Sequence, residues 1–566
     1  MNKEKDDSDR KKPGFPLKMT CFTIVILAPI FLAQIFPEKV RDFIPAYEAA
    51  FANLLLMVGS LVLILSWSIY LLFFSRRGFL VSKVVPILLL LCTIGFFVVY
   101  QPVFNGSMGI TSFENRFLKD VFDPIEVSGE KVVLATPAKE TNFYQFFGPN
   151  RNGVIDSIDL QTDWESDPPV LLWKNKIGQG WCGFAAYGNY AYTMEQRNEL
   201  EIVTCRNIRT GDIVWSYEHE ARHEDPLGGI GPRATPTVHE GLVYAQGGTG
   251  ILLCLDATNG DLKWEKNLPD LVGITMTERT RSNGVKYQVE DSTLMWGRSA
   301  SPLIHGDEVI MVAGGPADGD QTTFIAFDKK SGEETWRGGN LSVGYASPII
   351  EKIAGVEQIL LVTENKAAGF EVGTGKVLWA HDRPGHSNGD ANSQQMVVVD
   401  QNRLLLTKGY GLGGELIKVT ESGGEWNVES VWKNSRVLQT KFTNAILNGR
   451  YAFAISEKVL ECVDVESGER LWRQLRVNHG QMLRVGNHLV VQNERGGEIS
   501  IVDATNEWNG VVAKIKRPFG ARERCWNTLC VQDSYLLIRS ESNAACFELP
   551  IRSKAAGGPR PDPNRK

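Results

Sequence analysis

The chain has 566 residues, 43% of them hydrophobic and 22% charged, with a formal net charge of −6. It is long enough to bury a large core, and without a basic bias its composition excludes nucleic acid as an expected partner. The 55 glycines and 14 tryptophans suit many tight turns with large aromatic side chains packed against them.

Residues 1–18 form a polar tail carrying Lys3, Lys5, Arg10, Lys11, Lys12 and Lys18, and they are expected to be disordered. Three uncharged apolar stretches come next, residues 19–36, 51–74 and 84–104. Each is long enough to begin to span a bilayer, and three transmembrane helices are expected. Arg76, Arg77 and Lys83 crowd the second loop, whereas the first has only Lys39 and Arg41. The tail and second loop should therefore be cytoplasmic, with everything after residue 104 on the far side. Residues 105–141 read as a linker that serves as a tether, with 117–127 forming a short element against the large domain that begins at residue 142.

From residue 142 to 552 the sequence repeats. The unit is clearest in GILLCLDATNGDLKW, residues 250–264, where an apolar strand is followed by Asp256, a polar corner at Gly260 and a closing Trp264. Asp can bond the backbone two residues on and Gly can take the positive φ that a corner needs. The pattern returns with Trp215, Trp336, Trp379 and Trp472, in worn form with Trp432, and without its Trp at Ala513. A lone Trp173 lacks a first strand of its own, and residues 544–550 at the far end supply one. Upstream pieces such as ATPTVHEGLVYAQG and ASPLIHGDEVIMVAG add two more strands per unit. The count is eight blades in an all-β propeller, closed by pairing the two ends. Residues 553–566 read as a second disordered tail.

Cys205, Cys254, Cys462 and Cys546 share one place on the first strand of the unit, where a small apolar residue packs between blades. Cys182, Cys525 and Cys530 fall outside that slot, near the starts of the inner strands of the first and last blades. A disulfide between two of them is one expectation and three free thiols the other. No metal site is expected: there is no CxxCH or zinc-like CxxC pair, and the cluster His219 to Asp225 reads as a solvated loop, as do His381, His386 and Asp390.

The Asp, Thr/Ser-Gly, Trp unit resembles the tryptophan-docking motif of the pyrroloquinoline-quinone (PQQ) repeat proteins, the quinoprotein-alcohol-dehydrogenase-like propellers. FYQFFGPNRNGV, residues 143–154, looks like the segment that precedes the first blade in bacterial members. The Trp-Asp ending of WD40 repeats does not recur. The resemblance implies an eight-bladed propeller and leaves activity open, because the family includes PQQ dehydrogenases and non-catalytic scaffolds. It implies, for the first, PQQ with Ca²⁺ at the propeller mouth, yet the adjacent Cys-Cys pair of many such enzymes is missing and only residues 268–297 form a sizeable insertion. The preferred reading is a membrane-anchored, extracytoplasmic scaffold for a protein partner or a small anionic or aromatic ligand, without cofactor. The alternative is a membrane-bound PQQ-dependent dehydrogenase of sugars or alcohols. The implied location is a bacterial inner membrane, with the propeller on the periplasmic side.

In this family the residues just before each inner strand face the central mouth. Aligning the repeats places Trp181, Arg233, Ser299, Tyr345, Ala391, Lys441, Asn478 and Trp526 there, with a register open by at least one residue. The ring has no carboxylate, although loops could bring Glu364 or Asp390. Two cations beside three aromatics suit an anionic or aromatic ligand. The alternative is that these side chains only plug the mouth.

Overall fold

The structure, a computed structural model, describes residues 49–73, 83–104, 110–134 and 142–552. It divides into two compact units, Met1–Leu118 and Lys119–Lys566. The first expected membrane span and both expected disordered tails lie outside the described residues.

In the first unit, helix α1 covers Ala49–Phe73 and helix α2 covers Val85–Val99, both without a charged residue. The third expected span is shorter than anticipated. Its last residues, Tyr100–Phe104, form a strand paired antiparallel with Ile110–Asn115. The switch has a local cause: Val98 and Val99 are stiff at χ1, and Gln101 precedes Pro102, which disfavours the helical region for it. Phe96 then stacks on Tyr100 and meets Phe113 edge-on, each at 5.0 Å. Side chains of α1 are described from Val58 onward. Among the described residues no helix is long and apolar enough to cross a membrane, so the expectation of three spans stands without structural support.

The second unit is the eight-bladed propeller, and blades 1 to 6 are each an antiparallel sheet of four strands in chain order. Blade 1 is Ala185–Tyr187, Tyr190–Arg197, Leu200–Asn207 and Ile213–Glu220. Blade 8 takes three strands from the far end of the repeats, Cys530–Gln532, Tyr535–Arg539 and Asn543–Glu548, and its outer strand from Val170–Lys176. Cys546 pairs with Trp173, which is the ring closure expected from the orphan half-units. Blade 7 gains a fifth strand, Val154–Ile155, parallel to its inner strand Gln481–Val485.

The repeat residues recur in one register. Cys205 faces Trp215, Cys254 faces Trp264, Cys462 faces Trp472 and Ile501 faces Ala513, each followed by a bulge. The bulge turns the Trp toward the next blade, where its indole N–H reaches a backbone carbonyl: Trp173 to Ile208 at 2.6 Å, Trp215 to Ala257 at 3.1 Å, Trp264 to Lys329 at 3.2 Å and Trp432 to Val465 at 2.7 Å. Its ring lies on the turn glycine of that next blade. A Cβ on Gly260 would stand 2.6 Å from the Trp215 ring, and one on Gly211 2.5 Å from that of Trp173. The corner itself is an Asx turn, with the Asp256 carboxylate accepting the Thr258 N–H at 2.9 Å.

The FYQFFGPNRNGV segment crosses the end of the barrel opposite the mouth. The Tyr144 carbonyl accepts the Val238 N–H of blade 2, buried Arg151 donates to the Ser301 and Pro302 carbonyls of blade 3, and Val154 pairs into blade 7. The segment expected to act as a tether also packs on the propeller. Val127 bridges Ile213 in parallel, and Arg197 donates to the Asp123 carbonyl at 2.7 Å.

Cys182, Cys525 and Cys530 are all free and buried, so the expected disulfide is absent. Cys182 Sγ instead donates to the Met194 carbonyl at 2.8 Å, and burial holds the Cys525 and Cys530 thiols well above their ordinary pKa. Mass-spectrometric thiol counting on unreduced protein should find all seven propeller cysteines free, labelled only after unfolding.

The dock also makes a quantitative prediction. Gly241 and Gly260 have nearly the same φ, +81° and +78°, but a Cβ on Gly241 would meet nothing within 4 Å. Gly241→Ala should cost about 1 kcal/mol from backbone strain alone, and Gly260→Ala roughly 1–3 kcal/mol more from overlap with Trp215. Urea unfolding of the two variants measures the difference.

Candidate functional site

In an up-and-down blade the connections into the inner strand and those between the second and third strands share one end. Those loops form the mouth. The structure brings Trp181 and Trp526 together there, ring centroids 4.8 Å apart, because the first and last blades are neighbours in the closed ring. Phe442 also stacks on Trp526 at 5.0 Å, and Arg524 lies 5.0 Å over Trp181 and 5.2 Å over Trp526. Each indole is also held by its nitrogen: Trp181 donates to the Gly228 carbonyl at 2.7 Å and Trp526 to Glu494 at 2.8 Å.

At two blades the inward residue comes one position later than the alignment placed it. Phe442 rather than Lys441, and His479 rather than Asn478, face the aromatic group, with Phe442 edge-on to His479 at 5.7 Å. The shift follows from the backbone. Phe442 and Asn478 have φ of +60° and +53°, left-handed values that turn the chain by one residue before the strand begins.

The cations of the ring are engaged within the protein. Arg233 donates to the carbonyls of Gly228, Gly229 and Gly231. Buried Lys441 pairs with Glu457 at 3.3 Å and lies 4.1 Å over the Tyr410 ring. Tyr345 stacks on Trp296 at 5.4 Å and donates to the Ser387 carbonyl, while Ser299 donates to the Tyr345 carbonyl at 2.8 Å. Ala391 is buried, and Asn478 lies half-buried outside the aromatic group.

Sequence alignment missed four contributors: Trp296, Tyr410, Glu494 and Arg524. Trp296 lies in the insertion and Tyr410 and Glu494 on loops between second and third strands, so no repeat position marked them. Arg524, two residues before Trp526, carried a signal in its spacing.

Carboxylates do reach this end, but as partners of fixed groups. Glu364 accepts from Ser342 at 2.6 Å and from the Ser387 N–H at 3.1 Å, and Asp390 from the His386 N–H at 2.9 Å and Lys408 at 3.3 Å. Among the described residues no group of three or more His, Cys, Asp or Glu could hold a metal ion. A planar quinone would need a gap beside an aromatic face, and here Trp181 and Phe442 both pack against Trp526. The residues present do not fit a Ca²⁺–quinone site.

These features define an eight-bladed repeat propeller with a self-filled mouth. The profile of the family described as outer membrane protein assembly factor BamB matches residues 199–474, from within blade 1 through blade 6. Among solved structures the chain is similar to the quinohemoprotein alcohol dehydrogenase ADHIIG from Pseudomonas putida HK5, with TM-score 0.50 at 13% identity over 75% of this chain and 82% of that one. It is also similar to BamB from Moraxella catarrhalis (TM-score 0.45, 16% identity, 67% and 98% covered) and to a quinohemoprotein alcohol dehydrogenase from Comamonas testosteroni (0.39, 13%, 76% and 84%). No curated protein matches the chain. Over residues 199–474 the chain is similar to the PQQ-repeat β-propellers. At these identities the structural likeness concerns the fold.

The mouth has a pH signature. Burial pushes the His479 pKa down to about 4 from the ordinary 6.5. The unfolded chain takes up that proton near pH 6.5, whereas the native state resists it until about pH 4. His479 therefore costs nothing above pH 6.5, and stability is lost as pH falls through this window, by up to about 3 kcal/mol. His479→Gln should flatten the pH dependence of the urea midpoint between pH 6.5 and 4; an unchanged slope would assign the loss to other groups.

Proposed function

We propose that this protein is a non-catalytic binding scaffold, a membrane-held propeller whose mouth face receives a protein partner. The observation that carries the reading is the self-filled mouth: Trp181 and Phe442 pack against Trp526, Arg524 lies over both indoles, and Glu364, Asp390, Glu457 and Glu494 each have a partner within the fold. Such a site is preorganised to present a surface, and preorganised surfaces bind with little ordering cost. The matched family profile, described for an assembly factor, favours a protein as the bound class.

Anchorage in a bacterial inner membrane, with the propeller on the periplasmic side, belongs to the same proposal. It is supported by the Lys/Arg distribution and by the exposed apolar side chains of α1 and α2, among them Val62, Leu65, Leu89 and Leu91, each more than half exposed. A surface of that kind is stable against lipid and costly against water.

Titration of the purified chain with PQQ and Ca²⁺, followed by a dye-linked assay with sugars and alcohols, tests the proposal. No saturable Ca²⁺-dependent binding and no turnover are expected. Binding with turnover would make the chain a dehydrogenase.

A further inference from the structure

The mouth face is electrically divided. On the side of blades 6 to 8, Arg476, Arg495, Lys516, Arg517 and Arg522 are exposed, and among the described residues none has an ion-pair or side-chain hydrogen-bond partner. Their gathering is built into the fold. Pro518 and Gly520 break the chain after the outer strand of blade 7, Val511–Ile515, so that the following loop crosses back over the turn at 493–498. Phe519 N–H donates to Gly496, Gly496 N–H to Glu523 and Cys525 N–H to Glu494, at 3.1, 3.0 and 2.7 Å. Arg495 is bridged to Arg524, and the Arg517 stem lies against Gly496.

The acids of this region are turned toward partners of their own. Glu523 accepts from Ser540 and Asn543 at 2.5 and 2.8 Å, Glu541 from Arg524 at 2.5 Å, and Glu498 pairs with Lys514 at 2.9 Å. The solvent-facing side of the region is net positive, on a chain whose total charge is −6. The opposite side of the same face, at blade 3, exposes Asp291, Asp318 and Asp320.

Resting on the scaffold reading above, we infer that the basic apron of blades 6 to 8, together with the adjoining Trp181/Trp526/Phe442 group, is the docking site for an acidic polypeptide segment bearing an apolar or aromatic side chain. Unpaired cations raise the local potential and steer an anionic segment onto this half. The aromatic group beside them is half-buried, with its indoles held by Gly228 and Glu494, and its exposed edges offer apolar surface to an incoming side chain. Size favours a short segment over a membrane or nucleic acid, since a polyanion covering the whole face would also meet the acids of blade 3.

The test is fluorescence anisotropy with the whole chain and a short fluorescein-labelled peptide of alternating Glu and Gly around one Trp, and a Lys-for-Glu counterpart as control. Saturable, salt-sensitive binding of the acidic peptide is expected. The triple charge reversal Arg495→Glu, Arg517→Glu, Arg522→Glu should weaken it about tenfold or more, and these exposed positions leave the core intact. Asp318→Lys with Asp320→Lys should leave the affinity unchanged or raise it. Trp181→Ala should reduce the advantage of the Trp peptide over one carrying Ala instead. Absence of saturable binding, equal affinity of the triple variant, or displacement of the peptide by phosphatidylglycerol vesicles or a single-stranded DNA oligonucleotide at lower charge concentration would each overturn the inference. Failure here with no PQQ turnover leaves the scaffold reading standing, whereas PQQ turnover removes that reading first.

Discussion

The contact on which the propeller depends is the seating of an indole from one blade on the turn glycine of the next. It joins three local features: an Asx corner, a glycine at positive φ and a bulge that aims the Trp outward. Each alone is commonplace, but together they fix the separation and tilt of adjacent blades. The ring of Trp264, for example, rests on Gly332, with a Cβ there only 2.7 Å away. The same contact explains the one unit without a closing Trp. Blade 8 has no turn between its third and fourth strands, because the fourth comes from Val170–Lys176. A Trp at position 513 would find no turn glycine to dock on. Ala513 is therefore the consequence of ring closure.

Where the next blade departs from the pattern, the indole finds another acceptor. Trp336 donates to Glu308 and Trp379 to Gln358, both within their own blades, at 2.9 and 2.6 Å. An indole N–H must be satisfied somewhere, and at these two positions it is satisfied within its own blade instead of across the seam.

At the mouth the same economy of satisfied groups gives a different result. Trp181 and Trp526 are separated by nearly the whole propeller in sequence and touch only because the ring closes between them. Arg524 covers both, and Glu494 holds Trp526 from the neighbouring blade. Positive φ at Tyr410, Phe442 and Asn478 shows backbone held in sparsely populated conformations by the surrounding structure, a pattern that accompanies fixed surfaces more often than loose ones. A face so ordered presents chemistry rather than adapting to it, in keeping with a scaffold.

The sequence by itself determined the architecture: eight units, their strand pattern, and closure of the ring through Trp173 and residues 544–550. These follow from local chemistry repeated at intervals, and repetition survives erosion of any single copy. The aromatic character of the mouth was legible as well, since Trp181, Tyr345 and Trp526 occupy equivalent positions. Only the tertiary structure decided how those residues are used. A one-residue turn at positive φ exchanged Lys441 for Phe442 and Asn478 for His479. Glu457 and the Gly228–Gly231 carbonyls took up the cations expected to face a ligand. Of the two readings for Cys182, Cys525 and Cys530, the free thiols hold, with Cys182 donating to the Met194 carbonyl. In the first unit, an apolar run long enough for a helix became a helix and a hairpin at Gln101–Pro102. Register, partner choice and side-chain direction depend on which distant loops meet, and a periodic pattern carries no record of that.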